Sequence, residues 1–314
     1  MRDVRREGGQ AELPDLSARA AAGGFVRPAG TRLMLVLLLA GCGGGGGGTN
    51  VETPVVPSAS GSVPAPAPTS APAGYVLVWS DEFTNDGLPD TARWDYDTER
   101  NAAGWFNNES QYYARGRLEN SRVADGKLLI TARKEDLVGA SDWGGQHYTS
   151  ARLITRGKDA WTYGFFEVRA KLPCGAGTWP AIWTLGSQGR WPDDGELDIM
   201  EQVGSDPSRI FGTVHTLQSG SAGTGGAVQV SDACSQFHNY QMTWTAQDIR
   251  LAVDGVEYYR YVKPNTGLAT WPFDAPQYLL LNIAIGGDLG GTIDDAIFPV
   301  MMAIDYVRVY QASP

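Results

Sequence analysis

The sequence has few of the residues that build metal centres and disulfide scaffolds. It contains three cysteines and three histidines in 314 residues. A disulfide-dense scaffold needs more cysteines, and a zinc centre needs a clustered set of histidine and cysteine ligands that is missing. A nucleophile elbow for serine–histidine–aspartate chemistry is missing as well. These absences predict that no cofactor takes part in the chemistry.

Positive charge is also scarce. The chain has 25 basic and 35 acidic residues, and residues 1–41 contribute six of the former and four of the latter, so the remainder carries a formal charge of −12. Nucleic acids and anionic lipids bind basic patches. We therefore expect no nucleic-acid partner, and no membrane contact through the body of the protein.

The N-terminal region has the pattern of an export signal followed by a tether. A short apolar run at residues 33–41 follows Arg27 and Arg32, too short to span a bilayer but suited to a secretory signal. Leu39-Ala40-Gly41-Cys42 resembles a bacterial lipobox, which predicts lipidation at Cys42; an ordinary signal peptide and full secretion are the alternative. We assign 1–41 to an N-terminal extension and signal, with Val26 or Met34 as candidate starts, and 42–73 to a Gly/Pro/Ser/Ala-rich tether.

Export has a consequence for the two remaining cysteines. Cys174 and Cys234 would reach an oxidising compartment, where such a pair commonly bonds. We therefore expect a disulfide, in a lipoprotein tethered to the cell envelope.

Residues 74–314 lack helical periodicity and alternate with a period of two. The clearest strand patterns are 128–132, 164–171, 278–284 and 304–310, and Asp254-Gly255 joins 249–253 to 256–261 as a type I′ hairpin. This predicts one all-β sandwich or barrel. Of 32 aromatic residues only Phe25 precedes residue 75, which fits either a β-rich core or a sugar-stacking cleft.

The segment Trp191–Val203 contains three acidic residues on one expected strand. Glu196 and Asp198 share a face, but strict alternation turns Glu201 away. A β-bulge at Ile199-Met200 would return Glu201 to the acidic face. Hydrolysis of a glycosidic bond with retention needs two carboxyl groups about 5–5.5 Å apart. A solvated acidic face and a cation site are the alternatives that the residue types leave open.

The string Gly195–Glu201 resembles the active-site motif of glycoside hydrolase family 16, in the six-residue form of the laminarinase branch. Similar blocks cover residues 75–311 in the family's order: Trp79–Phe83, Trp105–Tyr113, Ser150–Arg152, Gly177–Trp183, Phe237–Tyr240 and Asp305–Tyr310. The resemblance implies a β-jelly-roll sandwich of two bent antiparallel sheets, concanavalin A-like, with an open concave cleft. It also implies that 74–314 is a catalytic domain.

The resemblance assigns roles residue by residue. Glu196 would be the nucleophile, Glu201 the acid/base, and Asp198 the group that positions Glu196 and keeps it ionised. Matches to cleft positions give the candidate substrate-binding residues Trp105, Asn107, Arg152, Trp179, Trp183, Trp191 and His215, the last beside the acid/base. Trp191 and Trp183 are favoured as platforms over Trp179. A structural Ca²⁺ would be held by Glu82, the Gly126 carbonyl and Asp305.

The implied activity is endo-hydrolysis of β-1,3-glucan by a monomer. Mixed-linkage β-glucan or a red-algal galactan are alternative substrates for the same acids. A non-catalytic glucan-binding domain is the alternative of another class; such relatives usually lack one or both acids.

Overall fold

The computed structural model describes residues 71–313. The signal segment, Cys42 and all but the last residues of the tether therefore lie outside the described residues. Among the residues described, no helix combines the length and apolar character needed to cross a membrane.

Strands account for nearly all regular structure in the described part. They are β1 (Tyr75–Asp81), β2 (Asp95–Tyr96), β3 (Gln111–Tyr113), β4 (Ser121–Ala124), β5 (Lys127–Lys134), β6 (Tyr148–Ser150), β7 (Arg152–Ile154), β8 (Gly164–Lys171), β9 (Thr178–Gly186), β10 (Glu196–Gln202), β11 (Arg209–His215), β12 (Thr224–Gln229), β13 (His238–Trp244), β14 (Asp248–Val253), β15 (Val256–Val262), β16 (Gln277–Ile285) and β17 (Val300–Ala312). One short α-helix, α1 (Gly287–Gly290), and 3₁₀ turns at Asn101–Ala103, Phe106–Asn108, Gly220–Ala222 and Asp295–Ile297 complete the set.

The strands form two sheets that pack as a sandwich. The ten-stranded sheet has the order β15-β14-β13-β8-β17-β5-β6-β3, with β1 paired to β17 and β4 to β5. The seven-stranded sheet has the order β12-β11-β10-β9-β16-β7-β2. All pairings between these strands are antiparallel except that of β3 with β6. The predicted jelly-roll sandwich is confirmed, and β10 lies inside the seven-stranded sheet.

Alternation along the strands explains where the core lies. In β8, Phe166, Val168 and Ala170 join one apolar cluster with Leu279 and Ile283 of the facing sheet. The other face of the seven-stranded sheet is then free to present polar and aromatic side chains. We call this the cleft face, after the cleft that the resemblance implies.

Two tight turns follow from the Asp-Gly pairs. Asp254 and Gly255, between β14 and β15, have φ of 50° and 81°, and Asp125 and Gly126, between β4 and β5, have φ of 53° and 69°. A type I′ turn requires positive φ at both central residues, which Asp tolerates and Gly favours. The predicted hairpin is confirmed.

Cys174 and Cys234 are joined as a disulfide, with Cα atoms 5.8 Å apart. The bond connects the segment after β8 to the turn before β13 across 60 residues. Closing a loop of that length stabilises a folded chain by roughly 2–4 kcal/mol.

Candidate active site

The acidic strand β10 contains the predicted bulge. Asp198 pairs with Thr213 of β11, and Glu201 pairs with Phe211, so that Ile199 and Met200 together stand opposite one residue. The register shifts at the same place against β9. Both bulge residues are buried in the core. The shift returns Glu201 to the cleft face with Glu196 and Asp198, as the break in alternation predicted.

Gly212 and Tyr258 support the bulge from β11 and β15. A Cβ at Gly212 would lie 2.7 Å from the Asp198 carbonyl oxygen and 2.6 Å from the Tyr258 hydroxyl, so a larger residue would push into both. The Tyr258 hydroxyl donates a hydrogen bond to the Ile199 carbonyl at 3.3 Å. Sequence reasoning missed both residues because only the register between strands brings them to the bulge.

Glu201 has the environment of a general acid. Its side chain is 8% exposed. Burial and the neighbouring charge of Glu196 raise its pKa to about 7, against the opposing effects of a hydrogen bond from Trp179, the charge of His215 and a hydrogen bond from Thr213. Trp179 Nε1 donates to Oε1 at 2.9 Å. A carboxyl group with this pKa is protonated in much of the population at neutral pH.

Asp198 is the most buried of the three acids, at 3% exposure. Burial, followed by the charges of Glu196 and Glu201, raises its pKa well above the usual range. A hydrogen bond between Asp198 and Glu196 favours the same protonated form. A protonated Asp198 can therefore donate a hydrogen bond to Glu196 while the proton stays on Asp198, which keeps the negative charge on Glu196.

Glu196 opens β10 and is only partly buried. Trp191 Nε1 donates a hydrogen bond to its Oε2 at 2.6 Å. The Trp191 residue is 51% exposed, so its ring remains available to a ligand while its nitrogen orients the carboxylate.

His215 makes its direct contact with Asp198, while its charge also acts on Glu201. The sequence placed it next to Glu201, but its Nε2 lies 3.2 Å from Asp198 Oδ2. Its Nδ1 lies 2.9 Å from the carbonyl oxygen of Gly220. The reason is the register of β11, which pairs His215 with Glu196 at the start of β10.

Arg152 centres an aromatic cluster on β7. Its guanidinium carbon lies 4.7 Å from the Trp183 ring centroid, 5.0 Å from that of Trp105 and 5.4 Å from that of Tyr113. Trp183 Nε1 donates to Asn282 Oδ1 at 2.8 Å, and Asn282 Nδ2 donates to the Tyr113 hydroxyl at 3.1 Å. Three predicted binding residues therefore meet here. Tyr113 and Asn282 were missed, although Tyr113 closes the block that contains Trp105.

Asn107 lies in a 3₁₀ turn at φ 57°, with an exposed side chain. Its Nδ2 is 3.5 Å from Glu109 Oε1, and its backbone packs against Gly287 of α1. The predicted binding role for Asn107 thus falls on a side chain that is open to solvent.

The proposed calcium ligands already have cationic partners. Arg308 donates two hydrogen bonds, of 2.9 and 2.8 Å, to the carboxylate of Glu82, and Arg169 Nη1 lies 2.7 Å from Asp305 Oδ2. Gly126 occupies the β4–β5 turn. As placed, this donor set does not fit Ca²⁺, because an ion would have to displace two guanidinium groups.

Comparisons with known proteins identify the family. The family model described as Glycosyl hydrolases family 16 matches residues 108–308. The chain is 49% identical over 250 residues to a "Beta-glucanase" of Rhodothermus marinus, covering 75% of this chain and 85% of the relative.

Solved structures give the same result. The chain is similar to SCLam, a non-specific endo-beta-1,3(4)-glucanase, at 51% identity and a TM-score of 0.76, with 78% of this chain and 94% of that one covered. It is also similar to the laminarinase from Rhodothermus marinus, at 48% identity and a TM-score of 0.71, with 76% and 97% covered.

Proposed function

The chain belongs to glycosyl hydrolase family 16, and from that premise we propose that it cleaves internal bonds of β-1,3-glucan with retention of anomeric configuration. The observation that carries the proposal is the difference between two carboxyl groups on one strand. Burial raises the pKa of Glu201 to about 7, whereas Glu196 is more open and is held by Trp191.

The difference in environment between the two carboxyl groups assigns each of them a role in the reaction. Glu201 protonates the glycosidic oxygen as the bond to the anomeric carbon breaks, and Glu196 attacks that carbon to form a glycosyl-enzyme ester. Glu201, now ionised, removes a proton from water, whose oxygen attacks the same carbon and releases Glu196. Asp198, whose pKa is raised well above its usual range by burial and by the charge of Glu196, remains protonated and can donate a hydrogen bond that keeps the negative charge on Glu196.

The aromatic residues of the site indicate where the substrate binds. The exposed ring of Trp191 stands beside Glu196, and the partly exposed Trp183 gives a second contact surface on the β9–β7 side of the acids. Arg152 and Trp105 are buried and support that surface by packing against each other and, through Arg152, against Trp183. Trp179 contributes a hydrogen bond to Glu201 rather than a free platform.

Mixed-linkage β-1,3-1,4-glucan is the second candidate substrate. The similarity to a glucanase described as non-specific for β-1,3(4) bonds favours it. A red-algal galactan has no such support. A purely binding role would not require a pair of acids with one carboxyl group raised to neutral pKa.

Reducing-end release from laminarin, lichenan and agarose separates these candidates. We expect the highest kcat/KM on laminarin, a lower value on lichenan and no release from agarose. Binding of laminarin without release from any of the three would identify a glucan-binding domain instead.

The lipobox-like tetrad supports a further part of the proposal, export and envelope tethering through Cys42, which lies outside the described residues. Cys42→Ser should move the protein from the membrane fraction to the soluble fraction without changing its rate on soluble glucan. Ser58→Ala, in the same tether, should leave the fractionation unchanged. A wild-type protein that is soluble and unlipidated by mass spectrometry would contradict the anchor.

The calcium site is untested, and the ion pairs of Glu82 with Arg308 and of Asp305 with Arg169 argue against it. An ion bound by Glu82 and Asp305 would raise the melting temperature when Ca²⁺ is added after chelation, because it binds the native state alone. Asp305→Asn should abolish that rise. Identical melting curves with and without Ca²⁺ would contradict the site.

A further inference from the structure

The hydrogen bonds of His215 fix its tautomer. The Gly220 carbonyl can only accept a hydrogen bond, so the Nδ1 that lies 2.9 Å from it carries the proton. In the neutral ring Nε2 then carries a lone pair. That lone pair faces Asp198 Oδ2 at 3.2 Å. This oxygen is buried and makes no hydrogen bond within the described residues. Two electron-rich atoms face each other in a buried place, an arrangement that a cation between them would stabilise.

A third donor completes the group. A carboxylate oxygen of Glu196, one of Asp198 and a nitrogen of His215 all lie within 4.8 Å of one another. A tetrahedral zinc ion with bonds of about 2.0–2.1 Å places its ligand atoms roughly 3.3 Å apart. The 3.2 Å between His215 Nε2 and Asp198 Oδ2 matches one edge of that tetrahedron. Glu196 is partly exposed at the start of β10 and its Oε2 accepts a hydrogen bond from Trp191, so a carboxylate oxygen of Glu196 would move from within 4.8 Å of the other two ligand atoms to the third position.

The surroundings of His215 also suit a metal ligand. A histidine that binds a metal through one nitrogen commonly donates its other N–H to a backbone carbonyl, as His215 does to Gly220. A Cβ at Gly223 would lie 2.8 Å from Cε1 of the ring and 3.0 Å from Nδ1, so the loop backbone holds the ring closely.

We propose that Glu196, Asp198 and His215 form a binding site for a divalent transition-metal ion of the zinc class, with its fourth position open to the cleft. One imidazole and two carboxylates suit Zn²⁺ or Co²⁺ better than Ca²⁺ or Mg²⁺. Binding releases any proton held by the acids. If the proposed function holds, the ion removes the nucleophile Glu196 from catalysis and inhibits the enzyme.

His238 provides a matched control. It also contacts two aspartates, but Nδ1 faces Asp254 at 2.6 Å and Nε2 faces Asp232 at 3.1 Å. The two nitrogens point to opposite sides of the ring, so these ligand atoms do not converge on one ion.

Titration calorimetry with ZnCl₂, and visible absorption with CoCl₂, test the site in the full chain carrying Cys42→Ser, which removes a competing thiol. We expect one ion per chain. His215→Asn and Glu196→Gln should each weaken Zn²⁺ binding at least about tenfold, the scale of loss expected when a group that supports a metal is removed. His238→Gln should leave binding unchanged, and CaCl₂ should give no heat at this site.

Three results would overturn the site: no Zn²⁺ binding by the Cys42→Ser chain, equal affinity in folded His215→Asn, or loss of binding in His238→Gln. If His215→Asn fails to fold, Glu196→Gln decides alone. The isotherm does not depend on turnover, so its failure is distinct from failure of the proposed function, which absence of glucan hydrolysis would show. With an active enzyme, Zn²⁺ should inhibit laminarin hydrolysis over the concentration range in which it binds.

Discussion

Glu201→Ala is expected to lower kcat/KM on laminarin by about 10²–10⁴-fold, the range that positioned acid–base groups contribute. Glu196→Ala should lose at least as much, because without the nucleophile the glycosyl-enzyme cannot form. Both acids lie on the cleft face of β10, away from the apolar cluster between the sheets. Initial rates of reducing-end release measure both losses.

Folding should survive these changes. The pKa of Glu201 is raised in the native state to about 7, from the ordinary value of 4.5 for a glutamate, so the native state binds more protons than the unfolded state between those values. The contribution of Glu201 to the free energy of unfolding therefore falls as pH rises from 4.5 to about 7. Because the ionised, buried carboxylate destabilises the native state, replacing it with alanine should lower the free energy of unfolding little. Melting temperatures of both variants near the wild-type value would verify this.

Two controls test whether the losses come from the catalytic roles of Glu196 and Glu201. Glu119→Ala changes an exposed acid that pairs with Arg117, and it should leave kcat/KM unchanged. An aryl β-glucan oligosaccharide with an activated leaving group needs no acid, so Glu201→Ala should still form its glycosyl-enzyme while Glu196→Ala should not. Wild-type rates in Glu196→Ala would contradict the retaining mechanism.

Activity should fall as pH rises through about 7. Glu201 must be protonated to assist the leaving oxygen, and burial with the charge of Glu196 raises its pKa to about 7. Above that pH, kcat/KM should drop about tenfold for each further unit, because the protonated fraction falls in that proportion. The pH–rate profile on laminarin measures this alkaline limb.

Replacing Trp179 tests whether Glu201 is the group that governs the alkaline limb. Its hydrogen bond to Glu201 favours the ionised form and lowers the pKa, so Trp179→Phe should move the alkaline limb to higher pH. Trp143→Phe removes a tryptophan that bonds to the Gln146 carbonyl, and it should leave the limb in place. A limb that stays fixed in Trp179→Phe, or moves to lower pH, would mean that another group governs it.

Local patterns predicted the strands and the bulge well. In β10, Leu197 and Ile199 alternate with the acids until Met200 breaks the period, and the structure buries all three apolar residues while returning Glu201 to the cleft. The Asp254-Gly255 turn was readable because few pairs of residues accept positive φ together. Both features depend only on neighbours in sequence.

Contacts between distant strands could not be predicted in the same way. Trp179 had the weakest claim of the three tryptophans, yet the register that pairs Glu201 with Ala181 brings Trp179 to the acid. His215 likewise meets Asp198 because of the register of β11. A shift of one residue in either pairing would turn these side chains to the other face, and no local pattern fixes that register.

Azide rescue tests most directly the claim that Glu196 is the nucleophile and Glu201 the acid/base. In Glu196→Ala, azide replaces the missing nucleophile from the opposite face of the anomeric carbon, so an activated β-glycoside should yield an α-glycosyl azide. In Glu201→Ala, azide intercepts the glycosyl-enzyme and should yield the β-glycosyl azide. NMR of the products distinguishes the anomers. The opposite stereochemistry in the two variants would contradict these roles, because Glu201 would then be the nucleophile and Glu196 the acid/base.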